Sequence, residues 1–280
     1  MKSLTTVLPP GVRAWGKTIA ILGGSLAIYV AAALLVTLLT GDAIAGAAVS
    51  ALVVAVLRIV YRWRSTGTPL APAPKPRALT VGFWLTAAAG LIICWVAGQT
   101  AASWVYATWG SRTFDAVNSA KVDSPIWLVA LTVLFLAPIG EESLIRGIAY
   151  PALRKHWPPL AAAFVTAMVF SLLHGNLVQI VLTVPLGLLL AFVYEASQRL
   201  WPVVFMHVLF NIAASFVPKE LVEGIARPPM VIALAVAVAL VLFALTPGRY
   251  AVETRDKPTD AGDSGNAGSA NAKVEERQAP

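Results

Sequence analysis

Three observations predict an all-α membrane protein of about eight transmembrane helices with its N- and C-termini in the cytoplasm. Hydrophobic residues make up 58% of the 280 positions and charged residues 12%, with a mean hydropathy of +0.75, outside the usual composition of soluble domains. Apolar runs of spanning length recur along nearly the whole chain. A bilayer core of about 30 Å needs roughly twenty such residues, because lipid leaves the helix to satisfy its own backbone hydrogen bonds. Lys and Arg gather in alternate connections, as cytoplasmic loops do. A soluble enzyme with a peripheral anchor is excluded. The net charge of +7 is spread among short segments between apolar runs, which fits membrane topology and argues against nucleic acid as a partner.

Residues 1–17 read as a cytoplasmic N-terminal segment and 18–40 as the first span. Lys2, Arg13 and Lys17 before it and Ala43-Ile44-Ala45 after it imitate a signal peptide, but its apolar region exceeds the roughly 7–15 residues such peptides use, so it reads as a retained span. The second span covers 43–61. Residues 65–78 carry Pro69, Pro72, Pro74 and Pro76 and read as an extended cytoplasmic linker. The third span, 79–100, holds the single cysteine, Cys94, a small core filler that leaves no disulfide framework and no cysteine-based metal cluster. These three spans form an N-terminal region, 18–125. Four closely spaced runs, 126–155, 158–176, 178–198 and 201–217, form a core region, 126–217, and the last span, 229–246, lies within 218–250. From 251 to 280 the chain has almost no large apolar residues and reads as a disordered tail. With the N-terminus inside, only Arg112, Lys121, Lys219 and Arg227 fall on the outer side. Trp63, Trp84, Trp104, Trp109, Trp127, Trp157 and Trp201 sit near span ends, where amphipathic rings anchor at the headgroups.

Ionisable groups inside a span cost several kcal/mol unless paired or facing water, so each marks a candidate functional site. Glu141, Glu142 and Arg146 lie in the fourth span, His174 in the fifth, and His207 with Asn211 in the seventh, while Asp42, Asp115, Asp123, Glu220 and Glu223 fall in loops. Four-residue spacing lets Arg146 pair with Glu142. Glu141 points about 100° away and has no arginine of its own. His174 follows Phe170 by one turn on the same face, and His207 and Asn211 share a stripe. Counted along the helices, Glu141 and His174 are level, roughly 21 and 24 Å from the turn at 155–158, whereas His207 and Asn211 come out shallower at roughly 9 to 15 Å. Pro138 can kink the fourth span and free a carbonyl toward the site, and Gly140 and Gly147 can let helices approach closely.

Glu141-Glu142-x-x-x-Arg146, Phe170-x-x-x-His174 and His207-x-x-x-Asn211, in this order on separate helices, resemble the three signature motifs of the CPBP family of intramembrane proteases. That family includes the Rce1-type CAAX prenyl endopeptidases and bacterial Abi-type relatives. The resemblance covers about residues 126–217 and implies a multi-pass hydrolase, here of the bacterial plasma membrane, cutting a membrane-associated peptide or protein within the lipid bilayer. It implies that Glu141 and His174 activate water and that His207 and Asn211 form the oxyanion hole, with Glu142 and Arg146 in support. No cofactor is expected on this mechanism. A zinc site on Glu141, His174 and His207 is the alternative, but no H-E-x-x-H pair supplies two ligands from one helix. A non-enzymatic transporter or immunity-type binding protein, using the buried Glu and His as a proton relay or docking site, is the other functional class left open.

Overall fold

The computed structural model describes residues 10–66, 79–218 and 220–245. The tail read from 251, residues 1–9, and all but the first two residues of the proline-rich linker lie outside the described residues.

Each apolar run forms a helix, and the chain is an all-α, multi-pass membrane protein. Five helices are long and apolar enough to cross a bilayer: α1 (Pro10–Thr40), α2 (Ala43–Thr66), α3 (Val81–Trp109), α5 (Ile126–Arg154) and α7 (Leu177–Ser197). Three shorter apolar helices match the remaining runs: α6 (Pro159–Leu172), α8 (Leu200–Phe216) and α10 (Pro228–Ala244). Two further helices are amphipathic or polar, α4 (Arg112–Asp123) and the single turn α9 (Glu220–Glu223). Residues 10–17, read above as a cytoplasmic segment, already belong to α1, which opens on Pro10, where a missing N–H costs nothing.

Boundaries follow local chemistry. Thr80, Ser111 and Asn176 cap α3, α4 and α7 by accepting the amides of Phe83, Phe114 and Gln179. Asp42, read as an idle loop residue, caps α2 through Ile44 and Ala45 and also accepts the Ser124 hydroxyl at 2.9 Å, tying the start of α2 to that of α5. The Ala45 amide, first among these donors, holds its carboxyl below the usual aspartate range. Gly175, at φ 70°, makes the turn between α6 and α7 that an L side chain resists.

Helix α7 is the centre of the bundle. Leu186, Leu189, Leu190 and Val193 are fully buried and share one cluster with Phe83 and Cys94 of α3, Ile145 of α5, Phe170 of α6 and Phe210 of α8. Cys94 is thus the core filler expected of it. Glu195, a charged residue of α7 not singled out above, accepts Tyr150 at 2.9 Å and Arg154 at 3.0 and 3.1 Å, binding one end of α7 to the end of α5. Trp63, Trp109, Trp127 and Trp201 are exposed, as anchors would be, whereas Trp84, Trp104 and Trp157 are half-buried against other aromatic rings.

Helix α5 is irregular at two places. Thr132–Leu136 and Ile145–Ala149 are wound as π-helix, and each run ends two residues before a proline, Pro138 and Pro151. A proline ring collides with the carbonyl four residues back, and a widened turn removes the collision. Between them Gly140 lies on α2, where any Cβ would strike the backbone of Ala51, and a Cβ on Gly147 would strike the Arg58 side chain. The close approach expected of both glycines is therefore real, and it presses the polar stretch of α5 onto α2.

Candidate active site

The first π turn prepares the site. Its wide register sends the Ala137 amide to the Thr132 carbonyl, so the Val133 carbonyl would need the N–H of residue 138, and Pro138 has none. Asn211 of α8 supplies the missing donor: its Nδ2 donates to Val133 O at 2.8 Å. The carbonyl freed by Pro138 is therefore that of Val133. Asparagine Nδ2 carries two hydrogens, so one stays available to the cavity.

Glu142 is the hub of a buried charge cluster. Arg146 Nη1 and His207 Nδ1 both donate to its Oε1 at 2.9 Å, and all three residues are buried. Because an ionised carboxylate only accepts, His207 Nδ1 carries a hydrogen and its Nε2 is left to face Glu141 Oε2 at 3.7 Å. Arg146 also donates to Gly187 O at 2.6 Å and lies over the Phe170 ring at 5.3 Å. The same ring meets His174 and His207 edge-on at 5.3 and 5.4 Å, which gives the phenylalanine of the second motif its purpose: it wedges apart and orients three polar side chains.

His174 stands on the turn after α6. Its Nδ1 donates to the Phe170 carbonyl at 3.1 Å, so Nε2 is a bare acceptor. The pair read from the sequence, Glu142 with Arg146, is present as expected. Among the described residues Glu141 forms no ion pair with an arginine, yet it is not isolated, since the His207 imidazole lies beside it.

Glu141, His174, His207 and Asn211 line one cavity of about 580 Å³, together with Gln179 and Thr183 of α7 and Thr132 of the π turn. The offset in depth counted from the sequence is also resolved. Glu142 precedes the end of α5 by about 18 Å and His207 follows the start of α8 by about 10 Å, yet their side chains touch. The turn after α5 therefore extends well beyond the start of α8. Sequence reasoning missed Tyr29 and Ser50. They face one another between α1 and α2, where the Ser50 hydroxyl donates to the Ala47 carbonyl at 2.9 Å, and the phenol lies within the electrostatic reach of Glu141. Tyr29 is one of few polar side chains in an otherwise apolar helix, the same signal that marked His207. Among the described residues no group of three or more His, Cys, Asp and Glu side chains is placed to hold a metal ion, and the zinc ligands considered above do not converge on one point.

Fold and site define a multi-pass helical membrane protein whose spans enclose a cavity lined by carboxylate, imidazole and amide groups. Residues 123–213, which carry all three motifs, match the sequence model of the family described as Rce1-like, type II CAAX prenyl endopeptidase Rce1-like. The chain is also similar to a protein of Bacillus subtilis (strain 168) named "Putative membrane peptidase YdiL", 26% identical over 131 residues, which cover 45% of this chain and 53% of that protein. The chain thus spans about half the length of the curated relative it matches. No solved structure matches it.

Proposed function

We propose that this protein is an intramembrane endopeptidase that hydrolyses a peptide bond in a membrane-associated peptide or protein, using water activated by Glu141 and His174. The observation that carries the reading is a carboxylate and two imidazoles, each held through its Nδ1, brought from α5, α8 and the turn after α6 to one cavity among apolar spans.

A water between Glu141 and His174 donates one hydrogen to the bare Nε2 of His174 and the other to Glu141. Its oxygen attacks the scissile carbonyl carbon as Glu141 takes the proton. The tetrahedral oxygen then accepts from the second Nδ2 hydrogen of Asn211 and from His207 Nε2. Donation from Nε2 requires the imidazolium, since the other nitrogen is already committed to Glu142. Collapse of the intermediate breaks the C–N bond, and Glu141 returns its proton to the leaving amine. Glu142 and Arg146 set the imidazole rather than touching substrate. Each step uses the chain's own groups, and no metal is needed.

Glu141→Gln and His174→Ala should each lower cleavage by several orders of magnitude while the protein still inserts, and cleavage by the unsubstituted chain should survive a membrane-permeant chelator. Mass spectrometry of membrane peptides with and without the Glu141→Gln substitution reads the outcome: new termini that depend on Glu141 support a protease. A substrate that crosses intact under a proton gradient supports the transporter instead, and loss of activity on chelation restores the zinc mechanism.

A further inference from the structure

Helix α4 sends three residues of one stripe, Phe114, Asn118 and Lys121, into the same cavity that Glu141, His174 and His207 line. The spacing of four and three residues is what one helical face provides. Among the described residues Lys121 is the single Lys or Arg that lines this cavity, and no described carboxylate comes within ion-pairing distance of its ammonium. Glu141 and Glu220 line the same cavity without pairing to it, and partial burial of Lys121 pushes its pKa down from the ordinary lysine value. Every buried cation near the reacting end of the cavity is already engaged, Arg146 by Glu142 and Gly187. An unpaired ammonium on a partly dry wall is an unfavourable arrangement that an incoming anion would complete.

We infer that Lys121 forms a carboxylate-binding subsite, which selects substrates carrying a negative group on the segment that lies in the cavity. The inference deepens the protease reading and rests on it for the word substrate. A cavity of about 580 Å³ holds only a short stretch of chain, so the recognised carboxylate lies a few residues from the reacting bond. A free C-terminus and an acidic side chain offer the same chemistry. Lys121 lies two residues before the stretch that matches the family model, residues 123–213.

The test uses the full chain with Glu141→Gln in lipid nanodiscs and three fluorescein-labelled Ala/Leu octapeptides: one with a free C-terminus, one C-terminally amidated, and one amidated with a glutamate near its end. Fluorescence anisotropy should show one of the two acidic peptides binding about tenfold or more tightly than the plain amide. Which of the two does so identifies the source of the carboxylate. Adding Lys121→Ala should erase the preference and Lys121→Arg should keep it. Equal binding of all three peptides, no binding of any, or a preference that survives Lys121→Ala overturns the subsite. Hydrolysis is followed separately with unsubstituted Glu141. A carboxylate preference without cleavage would keep the subsite and remove the protease, and cleavage without the preference would do the reverse.

Discussion

At the scale of single residues, the site turns on one oxygen. Glu142 Oε1 receives both Arg146 and His207 in a place without solvent. Removing one partner of such a buried cluster leaves a bare charge, so Arg146→Met should destabilise the protein by about 3–5 kcal/mol, and Glu142→Gln with Arg146→Met together by much less. Thermal unfolding in detergent of the two variants reads the difference, and equal losses would mean that the pair contributes packing alone. The acid and base of this cluster were legible from their four-residue spacing. His207 as third member was not, because spacing within one helix says nothing of what another helix brings. Asp42 and Glu195 were missed for the same reason: their partners Ser124, Arg154 and Tyr150 are remote in the chain.

At the scale of elements, hydropathy made all eight apolar helices readable to within a few residues at most ends, and missed what is polar or locally unwound. Helix α4 has its signals in place, Ser111 at the cap and Asp115 in the first turn, but it is short and largely polar, with Phe114 packed on α3 and no residue fully buried, so hydropathy passes over it. The π turns were invisible, because a switch from four-residue to five-residue hydrogen bonding leaves composition unchanged. Pro138 was the available clue. The partnership between Val133 and Asn211 yields a double-mutant cycle. Asn211→Ala alone leaves a carbonyl unpaired among apolar spans and should cost about 1–3 kcal/mol. Pro138→Ala restores an amide for that carbonyl, so the double variant should recover most of the loss. Cleavage should still be lost, since the Nδ2 donor is gone. Additive losses would show that the carbonyl finds another donor.

At the scale of the whole molecule, the charge asymmetry between connections predicts that α4 faces away from the cytoplasm, with the Arg199 turn on the inner side. Cys94 is fully buried and should not react, so the natural chain serves as the background for labelling. Val122→Cys, at a position 84% exposed, should take up a membrane-impermeant maleimide in intact cells, and Arg199→Cys only after lysis. The opposite pattern would invert the chain. The family motifs were readable because each falls within a short stretch of sequence, whereas the cavity they share is assembled from seven helices, α2, α3, α4, α5, α7, α8 and α9, with the turn that carries His174. That assembly carries a consequence for electroneutrality. With both glutamates ionised, Arg146 and a doubly protonated His207 bring the quartet to zero. Shifting one proton from His207 to Glu141 leaves the sum at zero. Protons can therefore change hands inside the oil without an ion being drawn from either side of the membrane, a freedom that a lone carboxylate would lack.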